Sequence, residues 1–239
     1  MTNVMLVLRS GGDFSLHDVL LLSHHIHKHN ENVKVYCLYD KVDEQTDLVG
    51  VTLLPLENKT WDRWWCKMNM FSPTLKQYRP FLYMDLDTAI VSNLEGILPP
   101  ENEDKFITLG GFNEIGYEQY LLSGLLWFGN EEKILKIWDA WNVDTKASME
   151  KHIVGGDQEF IKDVVKDHEE VWQHLAPNKI FNFKPIDGKK SIVNKKGNWS
   201  ARVLDEIPEQ ASVICFHGRP RIPEAAPYLD WVNEYVNYK

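Results

Sequence analysis

The sequence has few cysteines, and none is placed to form a structural metal site. Only three of the 239 residues are cysteine, namely Cys37, Cys66 and Cys215, and they are widely spaced. Each lies among apolar or aromatic neighbours, as is typical of reduced cysteines that fill a core. No pair has the spacing of zinc ligands. We therefore expect free thiols and no disulfide framework.

The sequence also lacks a hydrophobic run long enough to cross a membrane. Its longest apolar stretches are residues 19–22 and Leu121–Phe128, whereas a transmembrane helix needs about 20 apolar residues. Residues 1–8 are largely apolar but have no cationic start and no small-residue cleavage site. These features predict no membrane span and no secretory signal, and together with the cysteines they predict a cytoplasmic location.

Positive charge is in deficit. Lysine and arginine number 26 against 35 acidic residues, so the net charge is 26 − 35 = −9. An acidic chain is a poor candidate for binding nucleic acid, which needs a basic footprint. Any anionic substrate must therefore meet a locally positive site against an unfavourable overall field.

What is present is ordinary for a folded protein. Hydrophobic residues make up 44% of the chain and aromatic residues 12%, which argues against a disordered or collagen-like chain. The length lies between one and two average domains. A chain of this size can bury a substantial core.

The first ninety residues alternate strand-like and helix-like patterns. Short apolar runs predict strands, and apolar residues at helical spacing predict helices. The predicted order is a strand at 4–8, a helix from 15 or 17 to 29, strands at Val33–Tyr39 and 51–56, a helix around 62–71, and strand-like segments at 81–84 and 89–91. Such alternation implies an α/β sheet with parallel pairings.

Later elements are predicted in the same way. Apolar runs predict strands at 106–109, Leu121–Phe128 and 212–216, and helical spacing predicts helices at 131–141, 157–165 and 228–235. The Lys-rich residues 184–198 are predicted to form a long surface excursion.

The triplet Asp85-Leu86-Asp87 is the first candidate site. On a strand, residues two apart face the same side, so the two carboxylates could hold Mg²⁺ or Mn²⁺ beside a diphosphate. Roughly one Asp-x-Asp is expected by chance in a chain of this length. The neighbouring residues must therefore distinguish a metal site from a chance occurrence. Apolar residues on both sides would bury the strand, and ionised carboxylates are rarely buried without a partner. The alternative is a solvated strand end.

Residues 215–221 form the second candidate site. His217 is a possible metal ligand, Gly218 permits close backbone approach, and Arg219 and Arg221 could hold phosphates. Arginine is scarce, with six among the 26 basic residues, yet two fall within these few positions. The alternative for the histidine is a hydrogen-bonded core residue.

Two further segments carry candidate residues. Residues 155–158 place Asp157 and Gln158 at a predicted helix start, where the alternative is that Asp157 is a plain N-cap. Residues 61–67 combine tryptophans with Arg63 and Lys67, which suits a base-stacking or sugar-stacking wall. For the tryptophans we favour a buried aromatic face, whereas the charge of Lys67 must find an anion.

Four histidines lie close together in the first predicted helix, as the ligands of a metal site often do. His24, His25, His27 and His29 have no partner carboxylates nearby and lie on an amphipathic surface helix. We therefore expect them to be solvated.

These segments, in this order, resemble the GT-A glycosyltransferases, and most closely the glycogenin-like family that includes bacterial lipopolysaccharide galactosyltransferases. A lysine-containing helix at 65–71 precedes residues 81–94 (FLYMDLDTAIVSNL), which match the family pattern Y-x-D-x-D-x-x-V-x-x-N-L almost throughout. The segment 123–130 (SGLLWFGN), the pair Asp157-Gln158 and the segment 217–221 (HGRPR) follow in the family's order. The resemblance covers residues 1 to about 224 and implies a mixed, mostly parallel sheet flanked by helices.

The resemblance also implies a ligand set. The donor would be a nucleoside-diphosphate sugar, usually a UDP-sugar, bound with Mn²⁺ or Mg²⁺. Asp85, Asp87 and His217 would ligate the metal, with Asp85 also contacting the ribose. Asp157 and Gln158 would be the catalytic residues. The remaining donor-binding residues would be Arg9, Asp40, Arg63, Lys67, Leu86, Gly218 and either Arg219 or Arg221, since the family's usual lysine is absent.

In this chemistry, negative charge develops on the departing diphosphate, and a divalent metal and arginines stabilise it. Asp157 would be a base or would position the sugar, and the family favours retention of configuration. The acceptor would be a glycan or glycoprotein hydroxyl, bound by variable loops at 113–120 and 187–199. Because the motifs spread from Arg9 to Arg221, we expect one catalytic domain over residues 1–239.

Two other classes compete with this hypothesis. A haloacid-dehalogenase-like phosphatase also uses Asp-x-Asp-Thr, here through Asp85 and Asp87, but there the motif ends the first core strand and a glycine-threonine follows it. A non-catalytic carbohydrate-binding module is suggested by the nine tryptophans, yet such a module needs neither metal-ready carboxylates nor a phosphate clamp.

Overall fold

The strands and helices alternate through most of the chain. A computed structural model describes residues 1–42, 48–98, 104–112, 120–166, 170–193 and 199–238. Within these ranges the strands are β1 (Thr2–Leu8), β2 (Val33–Tyr39), β3 (Val51–Pro55), β4 (Phe81–Met84), β5 (Thr88–Ile90), β6 (Phe106–Gly110), β7 (Leu121–Phe128), β8 (Ile180–Asn182), β9 (Lys190–Val193), β10 (Ser200–Val203) and β11 (Val213–Cys215). The α-helices are α1 (Leu16–His29), α2 (Glu131–Val143), α3 (Thr145–Lys151), α4 (Gly156–Val165), α5 (Trp172–Leu175), α6 (Ile222–Ala225) and α7 (Asp230–Val236). Two 3₁₀ segments, Arg63–Phe71 and Pro73–Tyr78, join β3 to β4.

The central sheet has six strands in the order β3-β2-β1-β4-β7-β6. The first four strands are parallel, and β7 runs antiparallel to both β4 and β6. In β1, Val4 and Leu6 pack with α1 on one face, while Met5 and Val7 pack with the opposite cluster that includes α2 and α4. A sheet covered on both faces buries every residue of a strand, which explains the unbroken apolar run. The predicted mostly parallel α/β sheet is confirmed.

A second sheet, β5-β11-β8, packs beside α6 and α7. The prediction of one long surface excursion at 184–198 is wrong in part, because β9 pairs antiparallel with β10 as a hairpin. Ile192 is buried while Ser191 and Val193 are exposed, so this strand alternates over too few residues to stand out in a Lys-rich sequence. Residues 194–198 lie outside the described residues.

The prediction that all four histidines of α1 are solvated is wrong for His25. Its ring stacks on that of Tyr235 in α7, with centroids 3.6 Å apart, and its Nε2 atom lies 2.8 Å from the Tyr235 carbonyl oxygen. The helical period places His25 beside the buried Leu22 and Ile26, and only the docking of α7 shows that this face is covered.

The remaining global predictions concern cysteines and membranes. Cys37, Cys66 and Cys215 are all buried free thiols, as predicted. Among the described helices, none is both long and apolar enough to cross a membrane.

Candidate functional site

Asp85 and Asp87 lie in a turn between two sheets. β4 ends before Asp85 in the central sheet, and β5 begins after Asp87 in the second sheet; the Thr88 amide donates to the Asp85 carbonyl at 3.1 Å. The expectation that both carboxylates lie on one strand is therefore wrong, because two adjacent apolar runs do not reveal a change of sheet. The Asp85 amide donates to the Gly124 carbonyl, and the Phe216 amide donates to the Asp87 carbonyl, each at 2.9 Å. These bonds fix the turn to β7 and to the end of β11.

The turn borders a cavity of about 890 Å³, which is within the usual size range of ligand sites. It opens where β1, β4 and β11 end, which is the edge where ligands bind in open α/β sheets. The predicted site residues that line it are Arg9, Arg63, Lys67, Asp85, Leu86, Asp87, Asp157, Gln158, His217, Gly218 and Arg221.

Two predicted residues do not line the cavity. Asp40 is buried at the end of β2, where Arg9 donates to it and Ser10 bonds it through both amide and hydroxyl. Asp40 thus anchors the loop that follows β1. Burial raises the pKa of the Asp40 carboxyl, but the hydrogen bonds from Ser10 and the charge of Arg9 outweigh burial and lower it. Arg219 is half-exposed and pairs with Glu224.

Lys67 connects the turn to helix α4. Its Nζ atom lies 3.1 Å from Asp85 Oδ1 and 3.3 Å from Asp157 Oδ2, and it donates to Ser123 Oγ at 3.0 Å. Burial opposes the lysine charge, but the two carboxylates outweigh it and raise the pKa of Lys67. The Tyr83 hydroxyl donates to the same Oδ1 atom of Asp85. The predicted need of Lys67 for an anion is confirmed.

Asp157 is buried in the first turn of α4 and is not its N-cap. The helix begins at Gly156, and Gly155 is the N-cap residue, so the reading of Asp157 as a plain cap is wrong. Burial raises the pKa of the Asp157 carboxyl, while Lys67 and Ser123 act in the opposite direction. A carboxylate buried beside a buried ammonium is oriented by that pairing and not by capping.

The chain turns sharply after β11. His217 and Gly218 have φ angles of 38° and 76°, in the left-handed region. The Nε2 atom of His217 is buried and has no hydrogen-bond partner among the described residues. Burial lowers the pKa of His217 to about 4, so at neutral pH the ring is uncharged and keeps a nitrogen lone pair free.

Gly124 keeps His217 and Asp85 close together. A Cβ atom at Gly124 would lie 3.2 Å from His217 Cε1 and 3.3 Å from Asp85 Oδ2. Any larger residue would push into the space between them, so the glycine of the segment 123–130 has a direct steric role.

Arg221 projects into the cavity and pairs with Asp87. Its guanidinium carbon lies 4.6 Å from the Phe14 ring centroid, and one of its nitrogens lies 3.4 Å from Asp13 Oδ2. Burial and the nearby Asp85 raise the pKa of Asp87 to about 6, although Arg221 lowers it. Of the two arginines that the sequence left open, Arg221 lines the cavity.

Several residues of the site were missed by sequence reasoning. Lys184, in the Lys-rich segment, donates to the His217 carbonyl oxygen and, at 3.0 Å, to the Arg219 carbonyl oxygen. These bonds stabilise the loop that follows β11. Nothing in that segment distinguishes Lys184 from its neighbours. Ser123, Tyr83 and Asp13 were missed as well, since each becomes part of the site only through a partner distant in sequence.

The tryptophans of residues 61–67 separate into two kinds. Trp61 and Trp65 are 6% and 5% exposed and belong to the core, as predicted. Trp64 is 36% exposed and lines the cavity, so the buried interpretation is wrong for this residue.

The two competing classes fit these observations less well. Asp-x-Asp follows β4, the fourth strand in chain order, and not the first as in the phosphatases. A binding module needs neither the Lys67–Asp157 pair nor the arginine on Asp87, both of which lie in the cavity.

No family model matches the sequence, and no curated protein matches it. Comparison with solved structures finds glycosyltransferases. The apo form of GlyE from Streptococcus pneumoniae TIGR4 matches with a TM-score of 0.63 at 13% identity, over 100% of this chain and 60% of that one. The galactosyltransferase LgtC, in complex with donor and acceptor sugar analogues, matches with a TM-score of 0.61 at 11% identity, over 98% and 95%.

The bifunctional glycosyltransferase WbbM matches with a TM-score of 0.54 at 10% identity, over 100% of this chain and 50% of that one. This chain spans 44% of a further GlyE structure. It therefore covers nearly all of LgtC but only about half of the other neighbours. The expected resemblance is confirmed at the level of architecture: the chain has the GT-A fold of these glycosyltransferases.

Proposed function

We propose that this chain is a metal-dependent glycosyltransferase, with residues 1–239 as one catalytic domain. It would move a hexose from a nucleoside-diphosphate sugar, a UDP-sugar, to a hydroxyl group of a glycan or glycoprotein. The observation that carries this proposal is the content of one cavity in a GT-A fold. Two acidic residues, a histidine nitrogen without a partner and an arginine meet there with a buried Lys–Asp pair.

The residues present suit a hard divalent cation such as Mn²⁺ or Mg²⁺. Carboxylate oxygens are the ligands that such cations prefer, and a neutral imidazole nitrogen suits Mn²⁺ better than Mg²⁺. Asp85, Asp87 and the unpartnered Nε2 atom of His217 supply these groups. Within the described ranges no three His, Cys, Asp or Glu side chains form a ready-made metal site, and Asp87 is engaged by Arg221. Release of Arg221 from Asp87 would complete the ligand set.

The cationic residues have a role in holding the diphosphate. When bound, the metal would act as a Lewis acid on the diphosphate oxygens. Arg221 would clamp the diphosphate once it leaves Asp87, and the exposed backbone of Gly218 permits close approach. Lys67 would add its charge near the phosphates. Together with the bound cation, these residues would give the acidic chain the locally positive site that it needs.

The rest of the cavity would hold the base and the transferred sugar. Arg9, held by Asp40, would lie near the base and Leu86 near the ribose. Arg63 would complete the donor site. Asp157 and Gln158 would face the transferred sugar. Because the Asp157 carboxylate is paired with Lys67, we assign Asp157 the positioning of the sugar. The resemblance to the glycogenin-like family favours retention of configuration at the anomeric carbon.

A screen of nucleotide sugars tests this proposal. A UDP-sugar should raise the unfolding midpoint of the protein, since a ligand that binds the native state stabilises it, and the shift should be larger with Mn²⁺. The same UDP-sugar should be hydrolysed slowly when no acceptor is present.

Two results would contradict the proposal. Release of phosphate from simple phosphate esters, without any response to sugar nucleotides, would favour the phosphatase. Binding of sugars that ignores both UDP and Mn²⁺ would favour the carbohydrate-binding module. Proton NMR of the released sugar would report its anomeric configuration.

A further inference from the structure

Trp64 is wedged against the start of helix α4. A Cβ atom placed on Gly156 would lie 2.4 Å from the Trp64 Nε1 atom and 2.5 Å from Cδ1, so the edge of the indole rests directly on the glycine backbone. Gly156 has a φ angle of 65° and is followed at once by the buried Asp157. The indole is thus held one residue away from the candidate catalytic carboxylate.

The residue before Trp64 is held in an unusual conformation. Arg63 has a φ angle of 51°, a left-handed value that is costly for a residue with a side chain. Its guanidinium carbon lies 6.0 Å from the Trp64 ring centroid. The backbone is therefore strained at Arg63, where the 3₁₀ segment begins and the chain directs the Trp64 indole to the cavity.

Val154, which lies two residues before Gly156 in the chain, also lines the cavity and is 91% exposed. Among the described residues, Trp64 and Val154 are the exposed large hydrophobic side chains of the cavity lining. One packs against Gly156 and the other lies three residues before Asp157 in the chain. An aromatic ring with an adjacent polar rim suits a ligand that has one apolar face and polar edges.

A series of side-chain contacts leads from the proposed phosphate-binding residues to Trp64. Arg221 contacts Asp87. Asp85 contacts Lys67, and Lys67 contacts Asp157. Trp64 lies against Gly156, the residue before Asp157. With the diphosphate at Arg221 and the transferred sugar at Asp157, the acceptor must reach that sugar near Asp157, where the indole lies.

We propose that Trp64 and Val154 form the acceptor subsite and that it binds a neutral hexopyranose, whose C–H face stacks on the indole. This inference rests on the proposed function and extends it. The ring would place an acceptor hydroxyl beside the anomeric carbon of the donor. The tryptophan would therefore set acceptor affinity and have little part in donor affinity.

The test measures glycoside binding in the presence of UDP and the diamagnetic cation Mg²⁺, by saturation-transfer NMR with methyl glycosides of glucose, galactose, mannose and N-acetylglucosamine. UDP affinity is measured separately by calorimetry. The variants are Trp64→Ala, Trp64→Phe and, as a control in α2 away from the cavity, Trp138→Phe. In Trp64→Ala we expect glycoside affinity to fall by about tenfold or more, far more than UDP affinity. Trp64→Phe should keep most of the glycoside affinity, and Trp138→Phe all of it.

Failure of the proposed function and failure of the acceptor subsite give different results. If the wild-type protein binds no UDP, the proposed function fails. If it binds UDP but none of the glycosides, or if Trp64→Ala binds them as well as the wild type, the acceptor subsite is refuted. An equal or greater loss of UDP affinity in Trp64→Ala also refutes it, and would make Trp64 a platform for the donor base.

Discussion

The Nζ atom of Lys67 lies 3.3 Å from the Oδ2 atom of Asp157, and both side chains are almost fully buried, at 13% and 5% exposure. The pair joins the 3₁₀ segment Arg63–Phe71 to the first turn of α4. Buried charges of this kind are tolerated only when paired. Orientation of Asp157 and local stability therefore depend on the same contact.

Removal of the lysine charge should destabilise the protein strongly. In Lys67→Met, the carboxylate of Asp157 stays buried without its counter-ion, and we expect a loss of about 3–5 kcal/mol in the free energy of unfolding. Urea denaturation measures it. Lys151→Met is the control, because Lys151 pairs with Asp163 at the surface, at 68% and 47% exposure, where a pair is worth about 0–1 kcal/mol. Similar losses in both variants would show that the buried pair contributes no more to the free energy of unfolding than the surface pair.

Asp87→Asn should abolish Mn²⁺-dependent hydrolysis of a UDP-sugar while the fold survives. The amide keeps the shape of the side chain but loses the negative charge that would bind the cation, so we expect a fall of about a hundredfold or more in the rate. Circular dichroism checks the fold. Asp139→Asn, on the exposed surface of α2, should behave as the wild type. Full activity in Asp87→Asn would show that the reaction does not depend on a cation bound by Asp87, which contradicts the proposal.

Asp157→Ala should separate donor binding from turnover. In the proposed function the carboxylate lies beside the transferred sugar and not at the diphosphate, so calorimetry should show UDP binding retained. We expect turnover of the UDP-sugar to fall by about a hundredfold. Glu159→Gln changes an exposed carboxylate on the same helix and should leave both quantities unaltered. Normal turnover in Asp157→Ala would restrict this residue to a structural role.

A glycine pair tests the steric role of Gly156. Gly156 and Gly96 have φ angles of 65° and 84°, but a Cβ atom at Gly96 would meet nothing within 4 Å. Gly96→Ala should therefore cost only the backbone strain, about 1 kcal/mol. Gly156→Ala adds a clash with Trp64, and we expect a further loss of about 1–3 kcal/mol. Equal unfolding free energies for the two variants in urea would mean that the indole moves aside freely.

Stability should fall on mild acidification because of His25. Burial is the main cause that lowers its pKa from 6.5 to about 4; His24, Lys28 and His29 add to it, and the hydrogen bond to Tyr235 opposes it. The unfolded chain therefore binds the proton more readily than the folded one, so this stability is present above pH 6.5 and lost as the pH falls to about 4. At pH 5 we expect a loss of about 1–2 kcal/mol.

The matched variant for this pH dependence is His25→Phe, which keeps a ring against Tyr235 but cannot titrate. The His25 Nδ1 atom is buried and has no hydrogen-bond partner in the described structure, so a proton there would be unsatisfied. Urea unfolding at pH 7 and pH 5 should show a smaller change in the variant. The same change in both proteins would assign the acid sensitivity to other groups.

Long apolar runs were predicted well. The bounds expected for Val33–Tyr39 and Leu121–Phe128 are those of β2 and β7, because buried strands of a doubly covered sheet have a strong compositional signal. Some short elements were missed. β8 has three residues and α6 has four, which is too little chain for a period to appear. The equally short β5 and β11 were predicted, because each lies in an apolar run.

The amino-acid sequence alone was enough to determine the order of the longer elements, the type of sheet and most of the charged residues that line the cavity. Only the tertiary structure shows that the turn at Asp85–Asp87 joins two sheets. It also shows that Arg221, and not Arg219, lines the cavity, and that Trp64 lies outside the core. The physical reason is the same in each case. Chain-local patterns record which groups are buried or charged, whereas a partner such as Asp157 for Lys67 lies ninety residues away and is brought close only by packing.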